Sequence, residues 1–393
     1  MATADKTIRF VVSAPSGAPA WFTAQATKTW STPVTNTLAS VGGSSTAITN
    51  AWTGGCADQV RGELILAANG GHGDYSGNEV YAVAMRNSAP AWVRLTNAST
   101  PTGGSDASNS TGQYGDGRMR SQHGWNLCTF GNGRVWYLGL SGMYQTGFNS
   151  TAVHSFNRDT VGSGPFPVAN APWVYHGMGH TGAQLSGGNL VHDGCAAAFD
   201  RIGNRAWCFS GAGAANDGSG LISVDASTGS ITRHLVSGGA PAGGHWAAVA
   251  YDVSPRVLIL GRKDGVIRVV NLESPTSITT VTQSGSPTAL ADRVGAVYHA
   301  PSRAVLCWDS SYGTSIRKLK IPTNPLTGTY TWSTVTAAGG GATPPGTLDG
   351  DFQGVYSKFN IIEDMGNGQG CLVAVCRVTG STYAYKLPAG ELT

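Results

Sequence analysis

Side chains able to do chemistry gather in a few stretches of this chain. The first is GELILAANGGHGDYSGNEVYAVAM over 62–85, where His72, Asp74 and Tyr75 stand between two apolar runs. An imidazole, a carboxylate and a phenol so close together can move protons or hold hydroxyl groups. The same pattern also suits a polar turn whose Asp and Asn bond back to the main chain. The second is GQYGDGRMRSQHGW over 112–125, with Arg118, Arg120, His123 and Trp125. Guanidinium groups beside aromatic rings clamp a carboxylate or a sugar, whereas arginines in a long linker hydrogen-bond carbonyls. The third is VYHGMGHTGAQLSGGNLVHDG over 174–194, with Tyr175, His176, His180, His192 and Asp193. His-x-x-x-His ligates metal when a helix brings both rings to one side. Here the surroundings are Gly-rich and read as a loop, so no metal and no other cofactor is expected. Asp349 and Asp351, two apart in TLDGDFQG, lack the alternating oxygen ligands of a calcium loop and read as a turn.

Other chemistries leave no trace. There is no Gly-x-Ser-x-Gly elbow and no phosphate loop, so no catalytic residue is assigned. The formal net charge of +3 is far from the dense basic character of a nucleic-acid binder. No apolar run approaches the ~18 residues of a membrane span. The start, MATADKTIRF, lacks the basic and apolar segments of a signal peptide. The seven cysteines are odd in number and widely spaced, which points to reduced, buried thiols and synthesis in a reducing cytoplasm.

The elements that must position these residues are strands. Gly is abundant (56 residues) and charged residues are scarce (12%), which disfavours long helices. Short β-branched and aromatic runs between Gly, Ser, Pro and Asn clusters are the all-β pattern. A unit of four strands recurs. Its first two strands read as HGWNLCTFGNGRVWYLG (123–139), HDGCAAAFDRIGNRAWCFSG (192–211), HWAAVAYDVSPRVLILG (245–261), RVGAVYHAPSRAVLCWD (293–309) and GVYSKFNIIEDMGNGQGCLVAV (354–375). Arg134, Arg205, Arg256 and Arg303 each precede a second strand. Strands three and four read as NEVYAVAMRNSAPAWVRL (78–95), GLISVDASTGSITRHL (220–235), GVIRVVNLESPTSITTV (265–281) and SIRKLKIPTNPLTGTYTWSTV (315–335).

Four antiparallel strands repeated radially make a β-propeller. Six second strands, near Leu64, Val135, Ala206, Val257, Val305 and Leu372, predict six blades, with seven as the alternative. The last blade lacks a fourth strand at TYAYKLPAGELT. TWSTPV (29–34) matches the fourth strand TWSTV (331–335), so an N-terminal strand is expected to close the ring. Residues 1–25 then form an arm and 26–393 a single propeller domain. His123, His192 and His245 each fall at the start of a first strand, at the expected mouth of the axial channel, where a small ligand can sit.

ANGGHGDYSGNEVYAVAMRNSAPAWVRL resembles a kelch repeat: apolar strand, Gly-Gly, polar loop, Asn-Glu-Val-Tyr strand, then an outer Trp. TWSTVTAAGGGATPPG continues the Trp, Gly, Pro linker pattern. The resemblance implies the kelch and galactose-oxidase-like propeller superfamily, a fold that carries enzymes, adaptors and structural proteins alike. The copper radical oxidases of that superfamily need a Cys–Tyr cross-link, a second Tyr and two His; this chain has no adjacent His-His, and no such set is assigned. SVDASTGSIT is its nearest approach to a sialidase box and lacks the spacing and the Trp.

The expected function is a non-enzymatic display or binding platform. A Gly/Ser/Thr-rich, weakly charged chain with free cysteines suits a tailed-phage virion protein: a decoration, tail or fibre-associated attachment element on the virion surface. Its partners would be other virion subunits or a host-surface glycan, with a homo-oligomer possible and neither nucleic acid nor membrane insertion expected. Two other readings are a carbohydrate-active enzyme with its site on the loop face, and a kelch-type protein-interaction adaptor. Long insertions over 97–122, 140–152 and 174–191, carrying Arg118, Arg120, Tyr144, Tyr175 and His176, are the expected contact surface.

Overall fold

The computed structural model describes residues 17–71, 74–99, 111–144, 150–168, 172–179, 196–209, 221–234, 236, 246–261, 265–286, 290, 293–345 and 354–393. Six antiparallel sheets form a ring, and the innermost strand of each contacts the innermost strand of the next until the sixth meets the first. Blade 1 is β2 (Cys56–Asp58), β3 (Glu63–Ala67), β4 (Val80–Ala84) and β5 (Trp92–Arg94). Blade 2 is β6 (Cys128–Gly131), β7 (Arg134–Leu140), β8 (Ser150–Asn157) and β9 (Trp173–Met178). Blade 3 is β10 (Ala196–Asp200), β11 (Arg205–Phe209), β12 (Leu221–Asp225) and β13 (Ile231–His234), and blade 4 is β14 (Trp246–Ala250), β15 (Val257–Gly261), β16 (Ile267–Asn271) and β17 (Ile278–Thr280). Blade 5 is β19 (Gly295–His299), β20 (Ala304–Trp308), β21 (Ile316–Lys320) and β22 (Tyr330–Val335), with β18 (Gln283–Gly285) added in parallel along its outer edge. Blade 6 is β23 (Phe359–Ile362), β24 (Cys371–Val375) and β25 (Thr382–Lys386), completed by β1 (Trp30–Ser31).

The second strands ELILA, VLILG, AVLCW and CLVAV are buried along their whole length. Each lies in mid-sheet with a neighbouring blade on either face, so both of its faces need apolar side chains. Outer strands alternate instead: in β22, Trp332 is buried and Thr331 exposed. The core is therefore a series of inter-blade layers. In blade 6, Cys371 packs with blade 1 residues and Cys376 with blade 5 residues, on opposite faces of one sheet. The six cysteines among the described residues are all buried.

The ring closes through the N-terminal strand, Trp30 pairing with Tyr385 and Ser31 with Ala384. Residues just before it are packed rather than free of the ring. The helix α1 (Ala20–Ala24) buries Phe22 against blades 6 and 1. Lys386 Nζ donates to the carbonyls of Phe22 (2.8 Å), Thr23 (3.3 Å) and Gln25 (2.9 Å), satisfying the acceptors that a helix C-terminus leaves open.

Strand directions alternate, so connections from second to third strands and from one blade to the next share one end of the ring, the upper face. First-to-second and third-to-fourth turns share the lower face. One sequence expectation is corrected here: Tyr175 and His176 lie in strand β9 of blade 2, not in a Gly-rich loop or insertion. The run WVYHGM pairs with β8 across a register shift between Val153 and His154.

Candidate functional site

At the upper mouth the double glycine of blade 1 comes first. Gly71 has φ +79°, and a Cβ there would lie 2.3 Å from the Gly142 carbonyl and 2.7 Å from the His123 nitrogen. Only glycine admits so close an approach. The approach lets residues 120–123 run along the end of β3, with Gly70 N donating to Gln122 O (3.0 Å) and Gln122 N to Ala68 O (3.0 Å). His123 is thereby fixed, its Nε2 3.2 Å from Asp74 Oδ2. The imidazole is buried and the Asp74 carboxylate is 45% exposed.

His123 stacks on Trp52 at 4.7 Å between centroids, Trp52 lies 5.8 Å from Trp125, and Trp125 meets Tyr356 edge-on at 5.2 Å. Three of these rings share an uncommon backbone: φ is +49° at Trp52, +42° at Trp125 and +45° at Tyr356. Bulky residues in the left-handed region cost roughly 1–3 kcal/mol each, and such strain concentrates at functional positions. All three stand three or four residues before a first strand, in blades 1, 2 and 6, which are consecutive around the ring. Hydrogen bonds lock the arc: Trp125 N donates to Trp52 O (2.7 Å), Ser357 Oγ to Trp125 O (3.0 Å), and Gly55 N to Ser357 Oγ (3.1 Å). Behind it Lys358 is fully buried, and its Nζ donates to Thr53 O (2.7 Å), Thr53 Oγ1 (3.2 Å) and Gly354 O (3.1 Å). Burial lowers this ammonium to a pKa of about 7. Trp52 and Trp125 stay partly exposed.

The other residues singled out in the sequence divide into supports and separate features. Tyr75 donates to Glu79 Oε1 (2.7 Å); burial first, then that carboxylate, raises its pKa. Arg118 holds Asp116 (2.7 Å) and the carbonyls of Asn97 (2.7 Å) and Ala98 (3.2 Å). Arg120 is buried, donating to the carbonyls of Gln113 (3.0 Å) and Tyr144 (3.3 Å) and lying over the Tyr114 ring. These groups build the upper loops of blades 1 and 2. Tyr175, against His154 at 5.3 Å, and His176 sit on the outer strand of blade 2, apart from the arc. His176 Nε2 lies 2.8 Å from Ser155 Oγ, its ring 4.9 Å from Trp136, and Arg134 donates to the same Ser155 Oγ (3.1 Å). Blade 3 repeats this with His234, Ser223, Trp207 and Arg205. Desolvation lowers the pKa of both histidines. His72, His180, His192 and His245 lie outside the described residues, as do Asp349 and Asp351.

Trp52, Tyr356 and Lys358 were missed by sequence reasoning. Blade 1 has a first strand of only three residues, and the AWTGG ahead of it is the counterpart of HGWN ahead of blade 2. Below the arc runs the axial cavity, about 520 Å³, walled by the first strands and bounded near the lower face by residues of the first-to-second turns.

A closed ring of six four-stranded blades with a side-chain-lined axis defines the chain as a six-bladed β-propeller. No family model matches it, and no curated protein matches its sequence. Among solved structures it is similar to the major allergen Mala s 1 of Malassezia sympodialis, at 11% identity over 88% of this chain and 95% of that one, with a TM-score of 0.47. It is also similar to a chain of a mitotic checkpoint complex, at 12% identity over 88% of this chain and 90% of that one, with a TM-score of 0.43. At these values neither likeness bears on what this chain does.

Proposed function

We propose that this propeller is a non-enzymatic binding platform that recognises a glycan on its upper face. The observation that carries this reading is the arc of Trp52, Trp125 and Tyr356, three rings held in left-handed backbone at one mouth. Partly exposed indoles stack on the apolar face of a sugar ring, and the exposed Asp74 carboxylate accepts from its hydroxyls. The two carboxylates beside the arc already have partners, Asp74 with His123 and Glu79 with Tyr75. Those contacts hold both carboxylates in place as acceptors for a ligand.

The Gly/Ser/Thr-rich, weakly charged composition supports a particle-surface setting, and we place the chain as a kelch-like attachment or decoration element of a tailed-phage virion. Its partners are then a host-surface glycan and other virion subunits. The test is binding of the full chain to immobilised host cell-wall glycans, with Trp52→Ala and Trp125→Ala as variants. Each is expected to weaken binding about tenfold or more. Unchanged binding by both variants defeats the placement of the site, and release of new reducing ends during the assay turns the reading to the enzyme. Mass spectrometry of purified particles tests the virion setting separately.

A further inference from the structure

The axial cavity offers chemistry that the upper arc does not share. Its walls are small side chains, among them Ala57, Ala197, Ala247 and Ala296 from four different blades. Larger residues there would fill the axis; alanines leave about 520 Å³, within the range of roughly 300–1,000 Å³ typical of ligand pockets.

Its lower rim is built unequally. Blades 2, 3 and 4 contribute partly exposed aromatic rings, Phe130, Phe199 and Tyr251, with Tyr298 of blade 5 edge-on to Tyr251 at 5.3 Å. Phe199 takes its place because Gly131 has no side chain; a Cβ there would lie 2.1 Å from the ring. Blade 6 contributes Glu363. Arg201 of blade 3, three blades away and so diametrically opposite, reaches across the axis to pair with it. The guanidinium lies 4.0 Å over the Tyr251 ring, and Tyr251 OH donates to both oxygens of Glu363 at 3.1 Å.

We infer that this cavity binds a neutral cyclic polyol of monosaccharide or disaccharide size, gripped between the aromatic rim and the Arg201–Glu363 pair. Three arguments select the class. The first strands are edge strands of their sheets, so apart from groups already bonded, such as Ala197 N, which donates to Asn126 O (2.7 Å), and Ile361 O, which accepts from Gln59 Nε2 (2.7 Å), their inner edges present N–H and C=O groups to the axis. A hydrocarbon ligand would strand those groups, whereas hydroxyls satisfy them. Arg201 and Glu363 neutralise each other, so an inserted anion would leave Glu363 unpaired and an inserted cation would leave Arg201 unpaired. A hydroxyl both donates and accepts, so one neutral ring can bridge the two charges with each satisfied. The partly exposed rings of Phe130, Phe199 and Tyr251 supply the flat surface for its C–H face.

Apart from Ser357, which lines the cavity and also donates to Trp125 O, the site shares no residue with the glycan arc, and it stands or falls independently of it. The experiment is calorimetric and thermal-shift titration of the full chain with D-glucose, D-galactose, D-mannose, N-acetyl-D-glucosamine and myo-inositol. D-Glucuronate and D-glucosamine are the charged counterparts. At least one neutral compound is expected to bind saturably and more tightly than either charged one. Arg201→Ala and Glu363→Gln should each weaken it about tenfold, and Ala296→Phe, which fills the cavity, should abolish it. Trp125→Ala should leave it unchanged. Melting curves confirm that each variant folds; Arg201 and Glu363 are 38% and 24% exposed, so their replacement spares the core. The inference is overturned if no neutral compound saturates, if a charged one binds best, or if binding survives Arg201→Ala and Glu363→Gln while Trp125→Ala abolishes it.

Discussion

Ring closure rests on two residues of β1, and Trp30 carries most of it. Its side chain is 1% exposed. The indole packs 5.2 Å from Trp308 of blade 5 and 5.2 Å from Tyr385 of blade 6, and its N–H donates to Thr314 O at 3.0 Å. Trp30→Ala removes the largest side chain at the seam. Burial loss and the cavity left behind cost about 3–5 kcal/mol, and an orphaned carbonyl adds about 1 kcal/mol. With unfolding entropy scaled to a chain of this length, about 5 kcal/mol lowers Tm by roughly 6 °C. The damage is also topological, because losing β1 uncovers the edge of β25 and an uncovered strand edge pairs with other chains. Trp21 is the internal control: it is partly exposed and makes one hydrogen bond, to Asn87 O at 3.1 Å. Differential scanning calorimetry and light scattering on wild type, Trp30→Ala, Trp30→Phe and Trp21→Ala decide the matter. Trp30→Ala should melt lowest and aggregate on heating, Trp30→Phe should recover part of the loss, and Trp21→Ala should shift least. A Trp30→Ala protein that melts with the wild type and stays dispersed refutes the closure argument.

Acid sensitivity follows from two buried imidazoles. Burial lowers His154 and His299 from 6.5 to about 4. Their folded pKa is below the unfolded one, so the contribution is full above pH 6.5 and disappears as pH falls towards 4. For His154 the gap is worth up to roughly 3 kcal/mol. Denaturant midpoints between pH 7 and pH 4 should fall, and His154→Gln should flatten the slope; equal slopes would contradict the assignment. A second expectation concerns the buried pair between blades 2 and 1, where Arg158 grips both oxygens of Glu63 at 2.8 Å. Arg158→Ala should cost about 3–5 kcal/mol by stranding Glu63, and Arg158→Met with Glu63→Leu should recover most of it. Urea unfolding of the single and double variants checks this, and a double variant no better than the single one would count against it.

The fold was legible because central strands of a propeller must be apolar on both faces. ELILA, VLILG and CLVAV therefore announce themselves, and TWSTPV betrays the closing strand by its likeness to TWSTV. The site was legible only in part. His123 and Asp74 do meet, because the double glycine lets two upper loops touch. Arg118 and Arg120 read by residue type either as ligand clamps or as partners of loop carbonyls, and both do hold loop carbonyls. Residue type does not reveal which acceptors surround a guanidinium. His176 reads in the sequence as part of a Gly-rich insertion, but it lies in a strand, and its recurrence as His234, each with a Ser, a Trp and an Arg, marks it as part of the blade. The pairing of Arg201 with Glu363 had no sequence signal, since 162 positions separate them and only the sixfold ring sets them opposite each other.

Those cases share a cause. A propeller supplies six near-equivalent positions at every level of the axis, and the core constrains most of them to be alike. What recurs in neighbouring blades with the same partners, as the His–Ser–Trp–Arg group does, is needed by the blade itself. What recurs and stays partly exposed becomes a surface: left-handed aromatics in blades 6, 1 and 2 are consecutive, so they join into one arc whose exposed members are Trp52 and Trp125, with Tyr356 buried. What breaks the repeat gives that surface direction. Phe130, Phe199, Tyr251 and Tyr298 come from the successive blades 2 to 5, whereas blade 6 offers Glu363 and blade 1 offers Gln59, which links the two by accepting from Glu363 N (2.8 Å) and donating to Ile361 O (2.7 Å). A sixfold-symmetric rim would present the same face to a ligand in six orientations. This one is aromatic on one side and polar on the other, with a single guanidinium crossing between them, so it can fix the orientation of a small asymmetric ring.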